Sequence, residues 1–169
     1  RQIFTSQFLK NNVMPFLLDK TDSQKITDYL FKTDNEKLGL NSMLIKALLL
    51  FNDNKNIEGT ALSSLLLEKV PKNNSSILYY VMRVFVEADY FEIIRSEFYN
   101  MIENLNQNDF NKIDRELLSF ADSISKTKFS GDALKIYEMV FSKSNDNHRK
   151  NSAEKEIIKL KTISKSAIN

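Results

Sequence analysis

The stretch Leu117–Val140, LLSFADSISKTKFSGDALKIYEMV, decides the fold class. Leu117, Phe120, Ala121 and Ile124 recur at steps that place them on one face of an α-helix. Ser130-Gly131-Asp132 reads as a short break, after which Ala133, Tyr137 and Val140 continue at helical spacing. Two amphipathic helices joined by a few polar residues form a hairpin, and each must bury its apolar stripe against a neighbour. Ala121 and Ala133 are small residues among large ones, so paired helices can approach closely where they stand.

Helical periodicity extends outward from this hairpin in both directions. Ile3, Phe4, Phe8, Leu9 and Val13 form a first stripe, with Phe16 and Leu17 beyond Pro15. Pro15 should kink or divide that helix, because proline lacks the amide donor and crowds the preceding turn. Thr21-Asp22-Ser23-Gln24 offers a capping box before Ile26, Tyr29, Leu30 and Phe31. Asn41 and Ser42 are expected to cap the helix of Met43, Leu44, Ala47, Leu48 and Phe51. Asn52 to Asn56 reads as a loop, and Ile57 to Val70 as a helix stopped at Pro71. Asn73-Asn74-Ser75-Ser76 caps a helix with Leu78, Val81, Met82 and Phe85, ending near Ala88-Asp89. Its partner runs from Tyr90 to Leu105, and Asn106-Gln107-Asn108-Asp109 separates that pair from the hairpin of Leu117–Val140. After the polar stretch from Ser142 to Asn147 comes a last helix, with Ala153, Ile157, Leu160 and Ile163 on one face.

The Leu117–Val140 hairpin resembles one tetratricopeptide repeat, whose signature is W-x2-L-G-x2-Y followed by Ala and Phe. Matching Leu78, Val81, Met82, Phe85, Ile94, Phe98 and Met101 to Leu117, Phe120, Ala121, Ile124, Ala133, Tyr137 and Val140 sets a period of 39. Matching Met43, Ala47, Leu50, Gly59, Ser63, Leu66 and Pro71 to the Leu78 set gives 35. The family period is about 34. The middle unit has Met82 and Ile94 at the small positions, and the first has Lys46 at an apolar one. The resemblance implies an all-α domain of about eight or nine helices, a short right-handed superhelix of antiparallel hairpins. Residues 1–33 would form an N-terminal capping hairpin, 40–147 three degenerate repeats and 148–169 a C-terminal capping helix, because exposed ends of such arrays need covers.

Composition agrees with a helical reading. The chain has 169 residues, 42% apolar and 27% charged, with three Gly and two Pro, too few for the many turns of an all-β protein. A net charge of +2 argues against a nucleic-acid footprint over the whole surface. The charge is nevertheless uneven, since Arg149, Lys150, Lys155, Lys159, Lys161 and Lys165 face only Glu154 and Glu156 after position 148. A solvated capping helix accounts for this basic end better than membrane or nucleic-acid contact, because the aromatic interleaving of single-strand binders is missing. The most apolar run, Met43 to Phe51, contains Lys46 and covers about half of the ~20 residues a membrane span needs. The chain starts at Arg1 rather than Met, so a trimmed or processed chain is expected, leaning towards a periplasmic or membrane-associated setting. The abundance of Asn, Lys and Ile suggests an AT-rich coding bias.

Catalytic chemistry finds little support. With no cysteine and a single histidine, His148 in a polar stretch, thiolate zinc sites, cysteine nucleophiles and histidine-pair metal sites are excluded. Gly39, Gly59 and Gly131 are isolated, so no glycine loop cradles a phosphate. Glu87 with Asp89, Glu92 with Glu97, and Asp114 with Glu116 read as solvated helix surface rather than acid–base pairs. No cofactor is expected, and the expected partner is another protein or a peptide. In the resembled family the first helix of each hairpin lines a concave groove. The resemblance therefore implies a partner-binding face of Leu44, Leu48 and Phe51, then Tyr79, Arg83 and Val86, then Leu118, Asp122 and Ser125. A competing expectation is that the N-terminal hairpin covers Leu44, Leu48 and Phe51. The alternative function is a helical positioning domain of a larger enzyme, such as some cell-wall lytic enzymes contain.

Overall fold

The computed structural model describes residues 20–167. Among them are eight α-helices and no strand. These are α1 (Lys20–Lys32), α2 (Leu40–Asn52), α3 (Asn56–Asn73), α4 (Leu78–Glu87), α5 (Phe91–Glu103), α6 (Gln107–Ile124), α7 (Ser130–Lys143) and α8 (Asn147–Ser166), with short 3-10 turns at Asn35–Lys37 and Ser75–Ile77. The fold class is all-α, as the periodicity implies. The expected stripe from Ile3 to Leu17 and its Pro15 kink lie outside the described residues. The described helices fall into two compact units: one holds residues 20–73 with Tyr80–Asn104, the other holds Asn74–Tyr79 and residues 105–167. None of the described helices is long and apolar enough to cross a membrane.

Several boundaries differ from expectation. The helix of Met43 starts at Leu40 behind Gly39, with no side-chain cap from Asn41 or Ser42. Pro71 does not stop α3, which runs two residues further to Asn73. Proline deletes one late hydrogen bond, but its fixed φ is itself helical and lets the last turn close. Asn106 caps α6 by accepting from the Asp109 amide at 2.8 Å, so the quartet from Asn106 to Asp109 is a cap and first turn rather than a spacer. Ser130, Gly131 and Asp132 open α7, and the break sits earlier, between Ile124 and Ser130. His148 likewise stands in the first turn of α8.

In the first unit α1 packs on α2, α2 on α3, and α3 also on α5. Phe51 of α2 meets the rings of Phe85 and Tyr90, with centroids 6.5 and 5.1 Å away. Gly59 of α3 lies against the same ring, because a Cβ built there would stand 2.7 Å from Phe51 Cε1. This is a close helix approach that only glycine permits. Lys46, placed at an expected apolar site, is buried to 8% exposure. Its ammonium donates to Asn35 Oδ1 at 2.7 Å and sits 5.2 Å from the Phe31 ring centroid, which satisfies the charge at the edge of the core.

The turns leaving α2 and α4 repeat each other. Asn54 and Asp89, both left-handed with φ of 61° and 67°, stand 35 residues apart. Behind them the Lys55 amide donates to Leu50 O and the Tyr90 amide to Phe85 O, each at 2.9 Å. Both are six-to-one helix terminations, with Asn or Asp in the position glycine often fills. The spacing equals the period of 35 read between the first two sequence units.

In the second unit α6 packs on α7, α7 on α8, and α6 also on α8. Leu117, Phe120, Ala121 and Ile124 of α6 are buried together with Ala133, Ile136, Tyr137 and Val140 of α7. Each large apolar side chain so buried contributes roughly 1.5–3 kcal/mol relative to exposure. Gln107 at the start of α6 donates to the Lys143 carbonyl at 2.7 Å and ties down the end of α7.

Candidate functional site

Asp114 was expected on a solvated helix surface, yet it is 1% exposed. It lies two turns inside α6, where the stripe of Phe110, Ile113 and Leu117 faces the core. Its Oδ2 accepts from Ser144 Oγ and its Oδ1 from Arg149 Nη1, each at 2.7 Å. The Arg115 amide adds a third bond at 2.8 Å. One carboxylate thus joins α6, the α7–α8 connection and the first turn of α8. A buried charge is tolerated when both carboxylate oxygens are hydrogen-bonded and an opposite charge is paired with it in this way.

Beside that latch, α6 and α8 border an open cleft of about 500 Å³. Arg115, Leu118, Ser119 and Asp122 form one wall, and Asp146, His148, Arg149, Ser152, Lys155 and Glu156 form the other. All three lining carboxylates work within the chain. Asp122 accepts from the Tyr137 hydroxyl. Asp146 caps α8 by accepting from the Arg149 amide at 2.9 Å, and that bond holds its carboxyl below the ordinary value of 3.8. Glu156 lies 3.9 Å from the Lys159 ammonium. The Arg149 charge is matched by Asp114. By contrast, the Arg115 guanidinium and the Lys155 ammonium have no hydrogen-bond or ion-pair partner among the described residues. The uncommitted charge of the cleft is therefore positive.

The nine residues of the expected partner-binding face separate into three groups. Leu44, Leu48 and Phe51 are buried core of the first unit and present no surface to a partner. α2 is apolar nearly all round and packs on both α1 and α3, and Phe51 also meets the rings of Phe85 and Tyr90. Tyr79, Arg83 and Val86 follow one another on α4, with Tyr79 partly exposed and Arg83 paired to Glu87 one turn on. Leu118 and Asp122 line the cleft. Ser125, at the C-cap of α6, donates to the Asp122 carbonyl at 3.0 Å. Sequence reasoning missed Arg115 and Ser119, although extending the Leu118–Asp122 stripe one turn back reaches both. It also missed the α8 wall, where basic character signalled only solvation.

Tyr137 anchors the cleft from below. Burial first, then its hydrogen bond to Asp122 and that carboxylate's charge, push its phenol well above the ordinary 10.0. Folding thus favours the protonated phenol. The stability this supplies is fully present below 10.0 and is lost as pH rises beyond it, where the unfolded phenol ionises first. Phenolate absorbance during an alkaline titration is expected to show Tyr137 ionising only as the chain unfolds. Tyr137→Phe should remove that late step and flatten the alkaline loss of stability. A Tyr137→Phe chain with an unaltered alkaline limb would refute the assignment.

Among the described residues, no group of three or more His, Cys, Asp or Glu side chains is gathered as a metal site. No protein-family model, curated protein or solved structure matches the chain.

Proposed function

We propose that the chain is a non-catalytic protein–protein interaction module, built of degenerate tetratricopeptide-like hairpins, that holds an acidic segment of another protein in the α6–α8 cleft. The observation that carries this reading is the division of labour among the cleft's charges. Its acids are engaged internally, whereas Arg115 and Lys155 are free to meet incoming carboxylates. The hairpin reading is supported by the turn repeated at 35 residues and by helices that pack on the next and the next but one within each unit. Recognition would combine Leu118 as an apolar contact with charge-assisted hydrogen bonds from the two cations.

Selection from a peptide library of uniform length tests the idea. Acidic sequences are expected to be enriched, with affinity that falls as salt rises. Ser119 is exposed on the cleft wall, so Ser119→Trp fills the space without touching the core. It should weaken peptide binding at least ~10-fold, a change of about 1.4 kcal/mol, while leaving helix content unchanged. Enrichment without acidic preference, or binding indifferent to Ser119→Trp, would overturn the proposal.

A further inference from the structure

The opposite flank of α8 carries a second surface. Phe141 of α7 and Ile158 of α8 are 40% and 60% exposed, and with Ile157 they line a groove of about 490 Å³ between the two helices. This groove shares no lining residue with the polar cleft except through the body of α8 itself. We propose that the groove is a homodimer seam, in which α8 of a second copy lies antiparallel to α8 of the first.

The charges around the groove select that occupant. Glu154 and Lys161 are seven residues apart, about two helical turns, so they stand on the same edge of α8. The midpoint between them falls between Ile157 and Ile158. A copy related by a two-fold axis through that point brings its Ile158 beside Ile157 and Ile158 and sets its Lys161 against Glu154. The symmetry makes the contact twice. Parallel alignment would instead oppose Glu154 to Glu154 and Lys161 to Lys161. Lys161 also bonds Glu138 of its own chain at 3.0 Å, but both groups are about half exposed and can be shared with a second carboxylate. Lys155 and Lys159 lie on the far edge of α8, away from α7, and stay in water. The seam leaves the polar cleft open, so it stands or falls independently of the peptide-binding reading.

Sedimentation equilibrium of the full chain over a wide concentration range tests the seam. The wild-type chain is expected to be dimeric at its upper concentrations. Ile158→Asp should weaken association at least ~10-fold with no loss of helix content, since Ile158 is mostly solvent-exposed. Glu154→Lys alone should weaken it too. Combining Glu154→Lys with Lys161→Glu restores opposite charges across the two-fold and should recover dimer, an outcome that a different partner or an accidental apolar contact does not give. A wild-type chain that remains monomeric throughout, or a dimer unmoved by Ile158→Asp and by the charge swaps, overturns the proposal.

Discussion

Arg149→Ala is expected to destabilise the chain by about 3 kcal/mol, because it strips the principal partner from a carboxylate buried in the core. Asp114 would keep the Ser144 hydroxyl and the Arg115 amide, neither of which carries charge. The reverse truncation should be milder. Asp114→Ala leaves an Arg149 side chain that is already 30% exposed and can turn to water, at a cost of about 2 kcal/mol for the lost charged hydrogen bonds. The double variant should then be close to Asp114→Ala alone, because Arg149 has no remaining task at the latch once the acid is gone. Urea denaturation of the four chains measures this cycle directly. Additive losses would mean that Asp114 and Arg149 stabilise the fold separately and that the latch is not a unit.

Phe51→Ala should cost about 4 kcal/mol, as expected for emptying a fully buried aromatic site. The more telling result concerns Gly59, whose substitution should change sign with the background. In the wild-type chain Gly59→Ala gains about 1 kcal/mol of helix propensity but forces its methyl into the Phe51 ring. That ring is caged by Phe85 and Tyr90, so it cannot yield, and overpacking of about 1–3 kcal/mol outweighs the gain. In the Phe51→Ala chain the obstacle is gone. There the same methyl enters a cavity and should stabilise by about 1 kcal/mol. Thermal or urea melts of the two singles and the double decide it. A destabilising Gly59→Ala in both backgrounds would show that the glycine answers to some neighbour other than Phe51.

Helices were legible where their periodicity was strong and their ends carried unambiguous chemistry. The expected span from Tyr90 to Leu105 and the observed α5 differ by a residue or two. Two boundaries marked only by Asn, Asp, Ser or Gly were misplaced, since those residues favour both a turn and the first turn of a helix. The quartet from Asn106 to Asp109 and the triplet from Ser130 to Asp132 both failed for this reason. The candidate site was legible only in part. Leu118 and Asp122 follow from helix spacing, but the opposing wall comes from α8, and no local pattern shows that Arg115 and Arg149 border one cleft. Asp114 is the clearest case. In sequence it is one more acid among charged neighbours, and its partners lie thirty and thirty-five positions away.

The latch also bears on modularity. The hairpin of α6 and α7 reads as the most complete repeat in the chain, and repeats invite excision, transplantation and duplication as self-contained parts. Cut out before Ser144, that part would expose its central acid with no counter-charge, because the groups that neutralise Asp114 belong to the connection and helix that come next. The hairpin that resembles a repeat in sequence and the segment that is electrically whole do not share a boundary, since the second runs on to Arg149. Any boundary chosen for a fragment of this protein has to follow the second.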